Sequence, residues 1–412
     1  MKSVLLAYSG GLDTSVAVDW LQRTYYCDVH CLIVDVGQQE DLEAISERAT
    51  INGAKSAIVR DAREEFARDY IFEMLQGHPS YESHYLLGSA IARPLIAKHL
   101  LLEAQTLGVD AVSHGATGKG NDQFRFELGL AALGSRFPVI APWREWSFGS
   151  RADLIDYADK NGVVLEEGTS SNKPLSIDRN LVHTSYEGEL LEDPASPPPT
   201  YAFSRVCESE EAPDQGEQLS ITFENGKPVA VNGAMQTPLE IMQMVNEVGS
   251  RNGVGRMDHV ESRLIGMKSR NVYEAPGLTI LYAAHRAAEA MCLDKEVLFL
   301  KEEFMPRYAR QIYDGLWFSP ERIMLQAAIN APSIDVNAEI TVLVKKGNVS
   351  IQGRTSQNAL YDIQLSSIEE DRDFDHKNAS GYINLASIRL NARPIPINEQ
   401  DVGAPALSAI SS

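Results

Sequence analysis

The chain has 412 residues, of which 44% are hydrophobic and 23% charged, values ordinary for a globular protein of about two or three domains. Its 37 basic and 57 acidic side chains give a formal charge of -20, which repels a long phosphate backbone and argues against nucleic acid as a partner. A core strand follows the first residues directly and no apolar run approaches ~18 residues, so we expect neither a signal peptide nor a membrane span.

The cysteine content predicts a reducing compartment. Four cysteines are present, and they show none of the paired spacings that are typical of a disulfide framework. No Cys/His cluster has the spacing of a zinc site, so no metal held by protein ligands is predicted. We therefore expect a cytoplasmic protein.

A phosphate-binding loop is predicted near the start of the chain. An apolar strand from Val4 to Tyr8 leads into two adjacent glycines and then into a helical pattern. Such glycines let the backbone approach an anion, and hydroxyls and first-turn amides lie at the positive end of the helix dipole. The alternative is a turn that only packs helix on sheet, although its spacing matches neither a Walker loop nor a dinucleotide fingerprint. The residues of this loop are Ala7, Tyr8, Ser9, Gly10, Gly11, Leu12, Asp13, Thr14 and Ser15.

The first 165 residues alternate short β-rich runs with helical patterns. This alternation predicts an α/β fold, a parallel five-stranded sheet with helices on both faces. In such sheets ligands bind beyond the carboxyl ends of the strands. Strands are expected near 4–8, 29–36, 56–60, 110–114 and 138–141, and helices near 14–23, 39–52, 62–75, 88–107, 122–133 and 150–160.

Two further loops follow strand ends at that edge. The second strand ends near Val34, before an acidic loop that does not by itself distinguish a nucleotide-binding loop from an ordinary turn. The fourth leads into a segment with three glycines in six positions, Gly115 to Gly120, followed by Asn121 and Asp122. A plain surface loop does not need that combination, which favours a main-chain wrap around a zwitterionic small molecule. Arg125 lies four residues after Asn121 and shares its side of the following helix.

The middle of the chain changes character. Residues 166–215 lose periodicity and are rich in proline, which predicts a linker, and the roles of Ser176 and Ser185 within it stay open. A β-hairpin is expected around Asn225-Gly226, and Thr237 begins a helix that Gly249 ends. The charged segment 253–276 is equally consistent with a solvent-exposed face and with part of a functional site.

The last part of the chain mixes helices, strands and an irregular end. Helices are expected near 276–292, 294–313 and 319–330, and strands near 338–345 and 349–352. An apolar segment from Tyr382 to Leu390 follows, and the end of the chain is expected to be disordered.

These motifs together resemble the argininosuccinate synthase family, which belongs to the ATP pyrophosphatases. The resemblance extends from residue 1 to roughly 395, and the motifs occur in the family's order and spacing. Ala90 departs from the family, since some members carry a serine there that contacts citrulline, so that contact is either absent or supplied by Ser89. The matching segments are 7–15, 81–94, 113–125, 141–146 and 253–276.

The resemblance implies which residues bind which substrate. The first loop, Val34 through its backbone and Gly115 would bind ATP, with Ser9, Asp13 and Arg125 in catalytic positions. Aspartate would be bound by Thr117, Asn121 and Asp122. Citrulline would be bound by Tyr85, Ser89, Asn121, Arg125, Ser176, Ser185, Glu261 and Tyr273.

The resemblance also implies an activity and an assembly. An ATP-dependent ligase, with Mg²⁺, would join citrulline and aspartate into argininosuccinate, AMP and pyrophosphate through citrullyl-AMP, in arginine biosynthesis. The alternatives are another adenylating synthetase of the same group and a nucleotide-binding module without turnover. The implied domains are a nucleotide-binding domain (1–165), a synthetase and multimerisation domain (166–355) and a C-terminal arm with a tail (356–412), assembled as a homotetramer.

Overall fold

The computed structural model describes residues 1–169, 175–366 and 375–392. No helix within these ranges has the length and apolar character to cross a membrane. All four cysteines are free, and only Cys207 is partly exposed. The chain divides into two compact units, residues 1–360 and 361–412.

The first sheet is parallel and has five strands, as the alternation predicts. Their order is β3-β2-β1-β4-β5. The apolar runs of its central strands are fully buried, with Val4, Leu5 and Leu6 inaccessible to solvent. Its strands are β1 (Ser3–Ala7), β2 (Asp28–Asp35), β3 (Ser56–Asp61), β4 (Ala111–His114) and β5 (Val139–Ile140).

Helices connect these strands close to the predicted positions. The segment 63–75 is less regular than expected, since a π-helical stretch, Phe66–Ile71, interrupts it. Ser150 caps the last of these helices by accepting a hydrogen bond from the Asp153 amide. The helices are α1 (Leu12–Tyr25), α2 (Leu42–Ile51), α3 (63–75), α4 (Gly88–Leu107), α5 (Asp122–Ala132) and α6 (Arg151–Asn161).

The prediction that 166–215 is only a linker is wrong in part. Two short strands, β6 (Ser176–Arg179) and β7 (Thr184–Glu187), form a hairpin. They extend an antiparallel sheet with β11 (Arg256–Ser262) and β12 (Lys268–Glu274), in the order β11-β12-β7-β6. Four-residue strands have too short a pattern to be recognised in sequence, and their partners lie some 80 residues later.

The third sheet is antiparallel, in the order β10-β9-β8-β13-β14. The Asn225-Gly226 turn has positive φ at both residues, 50° and 74°, which confirms the predicted hairpin. Its strands are β8 (Glu217–Glu224), β9 (Lys227–Val231), β10 (Ala234–Met235), β13 (Ala338–Lys345) and β14 (Asn348–Thr355).

Four longer helices belong to the same part of the chain as the two antiparallel sheets. Thr237 and Glu240 form the expected capping box. The helix does not end at Gly249 as predicted but continues to Arg251. Gly249 instead lies inside the helix, where it packs closely against Pro276. The helices are α7 (Pro238–Arg251), α8 (Pro276–Cys292), α9 (Lys295–Tyr313) and α10 (Pro320–Ser333).

The second unit contains a short helix, Ile363–Ser366, and α11 (Lys377–Asn391). The expected disordered end, from residue 393, lies outside the described residues. The apolar side chains of α11 are exposed by more than half, namely Tyr382, Ile383, Leu385, Ile388 and Leu390.

Candidate active site

The predicted phosphate loop forms a tight turn between β1 and α1. Gly10 has a φ of 77°, and a Cβ there would lie 2.9 Å from Ile45 Cγ2. The Ser9 and Thr14 hydroxyls are 3.2 Å apart, and no side chain caps the first turn of α1. The loop is therefore built by main-chain groups and small hydroxyls, as an anion site at a helix N-terminus requires.

Gly115 lies beside this loop, close to Thr14 and Asp13. A Cβ on Gly115 would lie 2.6 Å from Thr14 Cγ2, so only glycine lets the loop after β4 approach this closely. Asp13 accepts a hydrogen bond of 2.8 Å from Trp143 Nε1. Burial raises the pKa of the Asp13 carboxyl, against the lowering effect of that hydrogen bond.

Val34 ends β2 at the same edge. Its carbonyl accepts from Gln38 Nε2 at 3.2 Å, while Gln38 Oε1 accepts from the Val36 amide at 2.8 Å. The Gln38 side chain thus fixes the main chain at the end of β2.

A network of two arginines and two aspartates lies at the start of α4 and α5. Arg93 donates to Asp122 at 2.9 Å and to Asp178 at 2.7 Å, and Arg125 donates to Asp122 at 2.9 Å. Burial alone would raise the pKa of Asp122, but the two guanidinium groups outweigh it and lower the pKa to about 2. Asp122 is therefore an anion under all physiological conditions.

An aromatic cluster adjoins this network. Tyr85 stacks on Tyr273 with ring centroids 4.5 Å apart, and the Arg125 guanidinium lies 5.0 Å from the Tyr313 ring centroid. Glu261 accepts from the hydroxyls of Tyr273 at 3.0 Å and Tyr313 at 3.1 Å. Burial raises the pKa of Glu261 even though Arg125 and these hydroxyls lower it.

The hairpin β6-β7 brings the 166–215 segment into this cluster. Ser185 donates to the Asp178 carbonyl at 3.4 Å, and it pairs with Tyr273 in the sheet. Ser89 donates to the Asp178 carboxylate at 2.6 Å and contacts His183 Nε2 at 2.9 Å. Burial lowers the pKa of His183 to about 3, so its imidazole is neutral.

The structure brings most of the sequence-predicted site residues together. Asn121 joins the cluster by donating to Tyr313 Oη at 2.8 Å and accepting from the Leu264 amide at 3.1 Å. Thr117 is exposed in the glycine-rich loop, and Ser176 is exposed at the start of β6. Ala90 is fully buried in α4.

Sequence reasoning missed four side chains of this cluster: Arg93, Asp178, His183 and Tyr313. Arg93 precedes Pro94 near a helix start, where a structural role is the commoner interpretation. Asp178 lies between the two serines singled out in the 166–215 segment, and that proximity was a usable signal. Nothing in the sequence around Tyr313 distinguishes it from a buried aromatic residue of α9.

A second buried polar cluster lies away from this site, between α3, α8 and α9. His78 Nε2 and His285 Nδ1 are 2.7 Å apart, and Glu289 lies 3.4 Å from His78 Nδ1. These three residues have the proximity of metal ligands, but the Lys301 ammonium pairs directly with Glu289. A buried cation already compensates this carboxylate, so a further divalent ion would leave excess positive charge.

The parallel sheet with its phosphate loop, joined to a domain that supplies buried polar side chains, defines the class of ATP-binding ligases with an HUP-type nucleotide domain. Family models match both parts: the arginosuccinate synthase N-terminal HUP domain matches residues 3–164, and the arginosuccinate synthase C-terminal domain matches residues 175–393.

Curated relatives agree over nearly the whole chain. Argininosuccinate synthases of Azorhizobium caulinodans and Xanthobacter autotrophicus are each 49% identical over 393 residues, covering 95% of this chain and 96% of theirs. That of Maricaulis maris is 49% identical over 390 residues, covering 95% of each chain. The chain belongs to the argininosuccinate synthase family and is an ATP-dependent ligase of arginine biosynthesis.

Proposed function

We propose that this chain adenylates citrulline with ATP and then joins it to aspartate, releasing AMP and pyrophosphate. The observation that carries the proposal is the adjacency of two sites. Gly115 abuts the phosphate loop, and six residues later Asn121 enters the cluster of charged and aromatic side chains. The loop after β4 therefore connects the proposed phosphate-binding site with the proposed amino-acid-binding site.

The phosphate loop would hold the nucleotide. The uncapped first turn of α1 offers main-chain N–H donors, and Ser9, Thr14 and Ser15 offer hydroxyl donors to phosphate oxygens. The Val34 main chain would contact the adenine. Charge that develops on the leaving pyrophosphate is stabilised by these donors without reorganisation.

Mg²⁺ fits this loop as a partner of the phosphates. It prefers oxygen ligands and is commonly held by one or two carboxylates together with substrate phosphates. Asp13 is the carboxylate of the loop, and its partly desolvated state suits a cation neighbour. When bound, Mg²⁺ supplies neutralisation of phosphate charge.

Citrulline would lie against the aromatic cluster. Tyr85 and Tyr273 present stacked rings, and Glu261 and Arg125 present opposite charges on the same side. A carboxylate and a guanidinium suit the α-ammonium and α-carboxylate of an amino acid. Ser89, Ser176 and Ser185 are proposed as further hydrogen-bonding partners, with Asn121 between the two substrates.

Aspartate would be held by Thr117, Asn121 and Asp122. The anionic Asp122 carboxylate is the natural partner of an ammonium group, with a pKa of about 2. Its neighbours Arg93 and Arg125 balance its charge when the substrate is absent. The cluster offers no activated nucleophile, which fits catalysis by positioning and charge stabilisation.

The reaction is tested by following oxygen. The ureido oxygen of citrulline attacks the α-phosphorus of ATP, and pyrophosphate leaves with the electrons of the broken anhydride bond. The aspartate amine then attacks the ureido carbon, and AMP leaves carrying that oxygen. With ¹⁸O-ureido citrulline we expect labelled AMP and unlabelled pyrophosphate, whereas ADP formation or unlabelled AMP would refute the mechanism.

We also propose that four copies of the chain assemble through the second domain and the segment near 355–395. The support is the exposed apolar face of α11, because large apolar patches on a monomer are a liability. Deletion of residues 356–412 is expected to give smaller species in sedimentation. A full-length chain that sediments as a monomer at micromolar concentration would contradict the assembly.

A further inference from the structure

A cavity of about 790 Å³ lies beyond the carboxyl end of β2, beneath α7. Its walls come from the end of β2, the start of α3, the β6-β7 hairpin, the segment after Phe203 and one face of α7. A volume of this size suits a small organic molecule. The lining includes Asp35, Gly37, Arg179, Arg205, Cys207 and Asn246.

This cavity lies on the other side of β2 from the proposed adenine contact. The Leu32 carbonyl accepts from the Tyr8 amide on the β1 side, and strand alternation places the main-chain groups of Val34 on that side as well. The Asp35 carbonyl instead accepts from the Ala62 amide on the β3 side. Asp35 lines the cavity and Val34 does not.

Two of the four arginines that line the cavity are committed to carboxylates. Arg63 pairs with Asp61 at 2.7 Å and with Asp35 at 3.2 Å, and Arg251 pairs with Glu217. The guanidinium charges of Arg63 and Arg251 are therefore already compensated by carboxylates.

The other two arginines form no salt bridge with any described residue. Arg205 donates to the carbonyl oxygens of Asn180 and Leu181, at 3.1 and 3.2 Å. Arg179 donates to Ser204 Oγ at 2.9 Å, and its buried Nε finds no hydrogen-bond partner among the described residues. Two guanidinium groups thus face one cavity with neutral oxygens as their hydrogen-bond partners.

The Arg205 guanidinium is buried without a carboxylate in direct contact among the described residues. Burial is the main cause that lowers the pKa of Arg205 to about 10, and the neighbouring Arg179 lowers it further. Glu274 attracts the guanidinium from a distance. Its carboxylate is already occupied by the Tyr186 hydroxyl and by the main-chain amides of residues 204–206.

We propose that this cavity binds a small anion with a carboxylate or phosphate group, held by Arg179 and Arg205. Guanidinium groups bind such oxygens through paired hydrogen bonds, which strengthen when water is excluded. Glu40 and Glu247 also line the cavity, so they disfavour a ligand with more negative charge than the two guanidinium groups compensate. None of the proposed substrate-binding residues lines this cavity, so the site is separate from them.

The test measures binding of inorganic phosphate and of malonate to the full chain by calorimetry, with the nucleotide site saturated by a non-hydrolysable ATP analogue. We expect at least one probe to bind, and Arg179→Gln and Arg205→Gln each to weaken binding at least about tenfold. Arg251→Gln is the matched control, since that cavity arginine already has a carboxylate partner, and it should change affinity less than about threefold. Tighter malonate binding assigns a carboxylate ligand, and tighter phosphate binding assigns a phosphate ligand.

Cys207 gives an independent readout because it lines the cavity and is the partly exposed cysteine of the four. The bound probe should slow its alkylation in the wild type and not in Arg205→Gln. Arg179→Gln repeats the measurement if Arg205→Gln fails to fold. Absence of binding by both probes in the presence of the ATP analogue, or equal affinity in all three variants, would overturn the proposal.

Discussion

The phosphate loop and the charged cluster are built in opposite ways. The loop is nine consecutive residues whose useful groups are main-chain amides and small hydroxyls, shaped by glycine. The cluster uses side chains from positions as distant as Tyr85 and Tyr313, held by ion pairs and stacked rings. A site of the first kind depends on backbone shape, whereas one of the second kind depends on charge balance between segments that meet only in the folded chain.

The sharpest test of that contrast is the removal of Arg93, which should be the most damaging change to stability. Its side chain is 13% exposed, and its guanidinium bridges Asp122 and Asp178. In Arg93→Ala the Asp178 carboxylate loses its guanidinium partner, and Asp122 keeps only Arg125. We expect the free energy of unfolding to fall by about 2–4 kcal/mol, less than for a fully buried pair because each carboxylate is about one third exposed. Denaturant titration measures this.

The control for Arg93 is an exposed ion pair. Lys160 pairs with Asp156 on the surface of α6, where both side chains are more than half exposed, and Lys160→Ala should leave the denaturation midpoint unchanged. If both variants behaved alike, the network around Arg93 would contribute no more than a surface pair, and the contrast between the two regions would fail.

The loop should instead be sensitive to one methyl group. Gly10→Ala forces a side chain into left-handed backbone and against Ile45. If strain of about 1–3 kcal/mol distorts the loop in the transition state, kcat/KM for ATP should fall by roughly 5- to 150-fold. Steady-state kinetics measure it, with binding of the nucleotide as a second readout.

Gly108→Ala is the matched control. Gly108 has a similar φ of 63° but open space around it, and it lies at the end of α4 away from the loop. It should cost some stability and leave kcat/KM for ATP within about twofold. An equal loss of activity in both variants would mean that stability, and not loop shape, is being measured.

The sequence predicts the loop and the first sheet well for a physical reason. Contiguous main-chain sites leave a contiguous signature, as in Ala7–Ser15, and buried parallel strands leave apolar runs. The strands β6 and β7 leave neither, because four residues carry little pattern and their stability comes from β12. Arg93, Asp178 and Tyr313 were missed because they act through hydrogen bonds of 2.7–3.1 Å to residues that are distant in the chain, 85 positions away in the case of Arg93 and Asp178.

Asp122→Asn should impair the half-reaction that uses aspartate and leave the adenylation of citrulline nearly unchanged. The amide keeps the size of the carboxylate but loses the charge that would hold the aspartate ammonium. We expect the KM for aspartate to rise at least about tenfold, while pyrophosphate release from ATP and citrulline in the absence of aspartate changes less than about threefold. Equal losses in both half-reactions would show that Asp122 acts only as the counter-ion of Arg93 and Arg125.

The smallest expected effect is a change in the pH dependence of stability that His183 causes. Its imidazole packs against Gly88 and contacts Ser89, and burial depresses its pKa to about 3 from an ordinary value of 6.5. Between these values the unfolded chain binds a proton at His183 that the folded chain does not, so stability falls as the pH falls.

His183→Gln removes this one proton while keeping a group that hydrogen bonds to Ser89. From pH 6.5 towards 3, the stability advantage of the wild type over His183→Gln should therefore shrink by about 1.4 kcal/mol per pH unit, as measured from urea midpoints. The depressed pKa values of His78 and His285 affect both proteins equally and cancel in the comparison. Parallel curves would mean that His183 stays protonated in the folded chain. Its proton would then have to be balanced by Asp178, which would make that carboxylate part of a charged pair with His183 as well as with Arg93.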